Sequence, residues 1–285
     1  MIELALFCRN EAPRVQGALR ALRAQADALP GDVLPLRVVV LENGSTDDTA
    51  EVAERAAREL TDDVFVVEVR SGLPPGKTRA WNTFLERATA GILVFMDADV
   101  IPAPGAIAMV VEELRADPRS DLVSAVPRVP PGFRPSGFWQ SVFAVPYHGL
   151  RPAESVTGNL YAARRDRLRP LDPDILHEDL ALSLRHEGAF RVSGRARVFV
   201  TPPPDFRGFV RQRVRCLRAD MTEERRFGKD VAPHRRREIR DFADFLRTAG
   251  PVRLGAFMLA RFLATVIARF QGPQNGGEWL PEAGR

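Results

Sequence analysis

An α/β fold with a mostly parallel central sheet is what this sequence predicts, on three observations. Over the first 126 residues short apolar runs alternate with segments of helical spacing. Such a βαβα alternation is built as a parallel sheet with helices on both faces. Three polar clusters, Cys8-Arg9-Asn10-Glu11, Glu42-Asn43-Gly44-Ser45 and Asp97-Ala98-Asp99, each follow an apolar run, and such sheets hold ligands at the carboxyl ends of their strands. Composition agrees: 285 residues with 45% hydrophobic, 27% charged and 8% aromatic side chains describe a globular chain with a substantial core. Disordered, collagen-like and disulfide-dense classes are excluded.

The elements follow in order. Glu3 to Phe7 is a short apolar strand. It has no basic stretch before it and no small-residue cleavage pattern after it, so it reads as buried structure and not as a leader. Ala12 to Ala28 has helical spacing. Leu36 to Leu41 is β-branched and predicts a strand. Gly44 then permits a tight turn, and Thr46 or Asp47 is placed to cap a helix over Asp47 to Leu60. Val64 to Val69 is a strand, Thr78 to Ala90 a helix, Ile92 to Met96 a fully apolar strand, Pro104 to Ala116 a helix and Leu122 to Val126 a strand. Pro127 to Pro135 reads as a loop. Gly137 to Leu150 is aromatic and helical, and Ser155 to Ala163 a strand. Pro170 to Leu176 is a loop, Glu178 to Glu187 a helix, and Arg191 to Val200 holds short strands. Pro202-Pro203-Pro204 interrupts the chain before a helical, arginine-rich remainder over Asp205 to Phe270. The last 15 residues are rich in Gly and Pro and are expected to fray.

Charge and cysteine usage bound the function. The net charge is +4, but 37 acidic residues nearly balance 41 basic ones, of which only Lys77 and Lys229 are lysine. A nucleic-acid footprint needs clustered basic residues, so nucleic acid is not an expected partner. Two cysteines, Cys8 and Cys216, build neither a disulfide framework nor a cysteine-based zinc site, which favours a reducing, cytoplasmic setting. Leu254 to Ala268 carries one charge, Arg261. At about 22 Å it is short of the roughly 30 Å hydrocarbon core. Two placements fit it: packing on the protein or a homodimer partner, or peripheral contact of 251–270 with a membrane interface.

Three motifs point to chemistry. At a strand end Asp97 and Asp99 can both approach one hard divalent cation, typically held by one or two carboxylates plus substrate phosphates. Such a cation offsets the negative charge that develops on a diphosphate leaving group. Glu42 and Asn43 end the second strand where a base or ribose can be hydrogen-bonded. Glu178-Asp179 opens a helix, where carboxylates also suit the dipole.

Taken in order, VVVLENGSTDDTAEVA, GKTRAWNTFLERATAGILVFMDADV, VTGNLYAARRDRL, HEDLALSLR and QRVRCLR resemble the family-2 inverting glycosyltransferases. The resemblance runs from Leu4 to about Arg218 and implies the GT-A fold, a Rossmann-like, mostly parallel central sheet flanked by helices, with a helical C-terminal extension. It implies a nucleotide-sugar-binding half at 1–126, an acceptor-binding half at 127–220, and the extension with its tail at 221–285. Asp97 and Asp99 match the DxD element, with Asp97 facing the donor and Asp99 holding Mn²⁺ or Mg²⁺. Phe7, Arg9, Asn10 and Glu11 match the first-strand loop that packs on base and ribose. Glu42-Asn43-Gly44-Ser45 matches the nucleoside-reading turn, with Glu42 where Asp is usual. Lys77 matches the donor-side lysine of the Gly-Lys…Asn element, Gly76-Lys77 with Asn82. His177-Glu178-Asp179 matches the acceptor-side element whose Asp is the catalytic base, so Asp179 is the expected base, with Glu178 orienting a neighbour or the acceptor. Gly158 and Asn159 match an acceptor-side strand. Arg215 belongs to a Gln-x-x-Arg-Trp-like element in which Cys216 replaces Trp, a departure that argues against a processive polymerase. Trp139 lies in a variable segment and either stacks on a sugar ring or fills a core.

The function implied is transfer of a sugar from a nucleotide diphosphate, by family frequency a UDP-sugar, to a glycan, lipid or small-molecule acceptor. Two alternatives stand beside it. A sugar nucleotidyltransferase would want a glycine-rich first loop, whereas here no glycine appears before Gly17. A degenerate scaffold would keep the fold and lose the carboxylates, which are all present.

Overall fold

A computed structural model describes residues 1–147, 156–227 and 242–273. The chain forms two compact units: 1–127 with 153–200, and 128–152 with 201–285. The segment 153–200 therefore clusters with the N-terminal residues and not with those after 201.

The first unit carries one eight-stranded sheet: β1 (Ile2–Cys8), β2 (Leu36–Glu42), β3 (Phe65–Arg70), β4 (Ile92–Asp97), β5 (Ile101–Pro102), β6 (Leu122–Arg128), β7 (Leu160–Arg164) and β8 (Phe190–Phe199). The spatial order is β3-β2-β1-β4-β7-β6-β8-β5. Helices α1 (Val15–Ala26), α2 (Thr49–Leu60), α3 (Lys77–Arg87), α4 (Ala106–Ala116) and α6 (Glu178–Arg185) belong to this unit, and α5 (Phe138–Ala144) to the other.

The strands β3-β2-β1-β4 pair in parallel, while β7 runs antiparallel to β4 and β6, and β5 antiparallel to β8. The alternating βα pattern ends before β7, so nothing there demands a parallel crossover. The segment expected to hold short strands is one ten-residue strand, β8. The two-residue β5 carries no periodicity that could have announced it.

β1 is buried along its whole length, including Glu3. A buried carboxylate needs partners, and Glu3 accepts the Thr89 and Ala90 amides at 2.6 and 3.0 Å and pairs with Arg37 at 3.2 Å. An aromatic stack fills the core under the β1-β4-β7 edge. Phe95 lies 4.7 Å from Tyr161 and 5.5 Å from both Trp81 and Phe84, and the buried Trp81 indole donates to Tyr161 Oη at 2.8 Å.

The second unit is helical: α5, α7 (Phe206–Phe227) and α8 (Phe242–Gln271), the last broken at Gly250, whose φ of 76° is non-helical, ahead of Pro251. Leu254, Phe257 and Ala260 pack with Val142 and Phe143, and Ala264 and Ala268 with Val214. Segment 254–268 thus packs on its own chain along one face. By length and composition Leu246–Gln271 is apolar enough to cross a membrane, a longer stretch than the 15 residues read from the sequence. The expected fraying tail lies mostly outside the described residues.

Candidate active site

Strand register brings the polar clusters together. Cys8 pairs with Glu42 and Phe7 with Asp97, so β1, β2 and β4 end level. The antiparallel β7 begins opposite Met96. The turn before it, Gly158-Asn159, therefore meets the same edge, and the Asp97 amide donates to the Asn159 carbonyl at 3.2 Å.

The first two loops are tied to each other. Asn10 sits at φ 55°, and its Oδ1 accepts the Thr46 amide at 2.8 Å while its own amide donates to Ser45 Oγ at 3.0 Å. The Glu11 amide donates to Thr49 Oγ1 at 2.8 Å. Asp47 accepts the Ala12 and Thr49 amides at 3.3 and 3.2 Å and so ties the neighbouring loop, while α2 begins at Thr49 with Asp48, and not Thr46 or Asp47, at its N-cap and no side-chain capping bond from it. Gly44, at φ 84°, lies where a Cβ would fall 2.7 Å from Pro75 Cγ. Glu42 is buried and spends both oxygens internally, accepting Ser45 at 2.5 Å and Gly72 at 2.8 Å. Beside it, the buried Asn43 Oδ1 has no hydrogen-bond partner among the described residues.

The acidic centre is built around Lys77, first residue of α3. Its Nζ lies 2.6 Å from Asp97 Oδ1, 2.5 Å from Glu178 Oε1 and 5.3 Å above the buried Phe7 ring. A Cβ on Gly158 would stand 3.2 Å from Glu178 Oε1 and 3.4 Å from Asp179 Oδ2, so this glycine lets the two carboxylates close up. Asp179 Oδ1 accepts the Leu180 amide at 2.8 Å. The loop that delivers Glu178 and Asp179 is held by α3. Asn82 donates to the Leu171 carbonyl at 2.7 Å and accepts its amide at 2.9 Å, Thr78 donates to the Ile175 carbonyl at 2.7 Å, and Arg79 pairs with Asp174 at 2.7 Å.

Electrostatics follow from this crowding. Burial, with the charges of Asp99 and Glu178, pushes the Asp97 carboxyl up to about 7 against the pull of Lys77. Burial alone would lower the Lys77 ammonium, but Asp97 and Glu178 outweigh it and hold it well above its usual range. Burial and then Glu178 raise Asp179, opposed by His177, Lys77 and the Leu180 amide. Asp99 is exposed at the end of the same turn. Among the described residues no cluster of three or more His, Cys, Asp or Glu stands ready to hold a metal. Asp97 and Asp99 nevertheless fit a hard cation whose other ligands are water and phosphate. Each is an oxygen donor, and their mutual repulsion is a charge excess that a cation relieves.

The structure thus gathers Phe7, Lys77, Asp97, Gly158, Asn159, Glu178 and Asp179 at one edge, with His177 preceding α6 and Arg9, Glu11, Glu42 and Asn43 in the adjoining tied loops. Glu11 is ion-paired with Arg14 at 2.6 Å. Trp139 and Arg215 belong to the other unit. There Trp139 packs on Phe206 and Phe143 with ring centroids 4.7 and 5.7 Å away, so its ring fills a core. Sequence reasoning passed over Thr78, Arg79 and the grip of Asn82 on Leu171. Their only signal is polarity on one side of a helix.

The Glycosyl transferase family 2 model matches residues 4–169. The chain is 22% identical over 228 residues to the poly-β-1,6-N-acetyl-D-glucosamine synthase of Staphylococcus epidermidis, covering 75% of this chain and 53% of that protein. It spans about half the length of the curated relatives it matches. Among solved structures, the mannosyltransferase PcManGT of Pyrobaculum calidifontis, in complex with GDP-Man and Mn²⁺, superposes with a TM-score of 0.57 at 25% identity, covering 96% of this chain and 76% of that one. Glucosyl-3-phosphoglycerate synthase of Mycobacterium tuberculosis, in complex with phosphoglyceric acid, shares the fold with a TM-score of 0.53 at 22% identity over 80% of each chain.

Proposed function

Because the chain belongs to glycosyl transferase family 2, we propose that it is a metal-dependent, inverting, non-processive glycosyltransferase. It moves a sugar from a nucleotide diphosphate, a UDP-sugar in the first instance, to an acceptor hydroxyl on a glycan, lipid or small molecule in the cytoplasm. The observation that carries the reading is the Lys77 bridge between Asp97 and Glu178, with Asp179 beside it across Gly158.

Asp97 and Asp99 are the residues that would hold Mn²⁺ or Mg²⁺, whose contribution when bound is to offset charge on the donor diphosphate. Lys77 offers an ammonium kept charged by its two acids, able to turn towards a phosphate oxygen. Asn43, with a buried acceptor that has no partner among the described residues, and Arg9 bind the nucleoside from the tied loops. Asp179 is the base. Its Oδ1 is fixed by the Leu180 amide, and Oδ2 on the Gly158 side takes the acceptor's proton. As the acceptor oxygen bonds to the anomeric carbon from one face, the bond to the diphosphate breaks on the other and its electron pair leaves with the diphosphate. A raised carboxylate is a better match to a base working near neutrality than an ordinary one.

A thermal-shift panel of UDP-, GDP-, dTDP- and CMP-sugars with and without Mn²⁺ tests the donor site. One nucleotide series should stabilise the chain, and only with metal; silence from all of them overturns the donor assignment. Asp179→Asn should abolish transfer and keep that shift. Loss of both would make Asp179 a donor-binding or structural residue. A scaffold without catalysis would show no Mn²⁺-dependent donor hydrolysis.

A further inference from the structure

The second unit carries a feature that sugar transfer does not use. From Val252 onwards α8 has two unlike faces. One is packed inside the unit through Leu254, Phe257, Ala260, Ala264 and Ala268. The other faces solvent and is largely apolar, with Val252 72%, Leu259 53%, Phe262 64% and Phe270 89% exposed, and Leu263 and Ile267 between them. No acidic residue occurs from 246 to 271. Arg253 and Arg269, both exposed, flank the stripe at its two ends, and Arg253 also donates to Ser141 Oγ at 3.1 Å.

We propose that this face of α8 seats the protein on an anionic phospholipid surface, with the phenyl rings of Phe262 and Phe270 below the headgroups and Arg253 and Arg269 at their level. The helix cannot be wrapped by lipid, because its other face is occupied by its own unit, so it lies along the bilayer and does not cross it. Charge selects lipid over a second copy. Pairing two stripes, parallel or antiparallel, brings Arg253 and Arg269 of both copies together with no acid between 246 and 271 on either helix to offset them. Anionic headgroups supply the missing countercharge. Gly250 and Pro251 set the start of the stripe by breaking the helix just before Val252. This inference stands apart from the donor chemistry proposed above.

The test is co-sedimentation of the full chain with vesicles of phosphatidylcholine alone, and of equal parts phosphatidylcholine and phosphatidylglycerol. The intact chain should sediment with the second and weakly or not at all with the first. Phe262→Ser with Phe270→Ser, both solvent-exposed in the free chain, should weaken the partition at least about tenfold. Arg253→Gln with Arg269→Gln should weaken it roughly fivefold per arginine. Near-ultraviolet circular dichroism checks that each variant stays folded. The proposal is overturned if the intact chain ignores both vesicles, or if the serine variant binds as well as the intact chain. It is equally overturned if sedimentation velocity shows a dimer that the serine substitutions dissolve, since the stripe then belongs to a second copy.

Discussion

Lys77 lies within 2.6 Å of Asp97 and 2.5 Å of Glu178, so replacing it with methionine leaves two largely buried carboxylates beside each other with no cation. Breaking a fully buried pair costs about 3 to 5 kcal/mol. A quarter of the Asp97 side chain remains exposed, which places the expected loss in the Lys77→Met chain at about 2 to 4 kcal/mol in denaturant unfolding. The sign of its pH dependence follows. Asp97 already sits near 7 in the fold, above its ordinary 3.8. A raised carboxyl favours the fold in full below the unfolded value, and that contribution is lost as pH rises through the folded one. Removing the ammonium raises it further, so the deficit should be smaller at pH 5.5 than at pH 8, and a constant deficit would mean that the lysine acts through packing alone. Gly158 is the second residue on which the centre turns. Gly158→Ala inserts a methyl 3.2 to 3.4 Å from Glu178 and Asp179. Displacement of the base by a few tenths of an ångström should lower kcat by about ten- to a hundredfold with little change in donor binding or melting temperature. Equal losses in binding and turnover would contradict that. These residues were legible because each stands in a short motif at a strand or helix end. The fate of the Glu42 carboxylate was not, since its partner Gly72 lies 30 residues on, beyond the turn the motif describes.

α3 does more than cover the sheet. Its first turn bears Lys77, Thr78 and Arg79, its second Asn82, and each reaches a group more than 15 residues away. Asn82 binds both backbone groups of Leu171 as a neighbouring strand would, fixing the loop that leads into α6. Asn82→Ala removes two hydrogen bonds at about 0.5 to 1.5 kcal/mol each. Hydrogen exchange should speed up over 170–178 ahead of the rest of the unit, and kcat should fall while donor binding holds. Unchanged exchange there would remove α3 from the positioning of the base. The helix itself was read correctly from its spacing, but its clamp was not. The partner of Asn82 is 89 residues away, and periodicity reports which face is buried, not what the polar face grips. The same distance effect hid β7. Its strand character was visible, but antiparallel pairing with β4 is a fact about two segments and not about either one.

Across the whole molecule the site residues other than Trp139 and Arg215 fall in the unit that holds the sheet. A donor at a hundred times its dissociation constant stabilises by about 2.7 kcal/mol through mass action. With Mn²⁺ present, that protection in hydrogen exchange should concentrate on the loops after β1, β2 and β4 and on 156–159. Protection centred elsewhere would move the donor site. The βα rhythm made the parallel half of the sheet readable from sequence alone. The return of 153–200 to the unit that holds the sheet was not readable, because a chain that leaves a unit and rejoins it carries no compositional mark at either crossing. The buried stack beneath the centre has an optical consequence. Trp81 is sealed from solvent, bonded to Tyr161 and layered on Phe95, while the neighbouring Phe7 lies under Lys77. In a chain whose other two tryptophans are replaced by phenylalanine, its fluorescence should be blue-shifted and nearly immune to acrylamide. Emission from this single indole would then follow the Lys77 centre in real time, with no label attached.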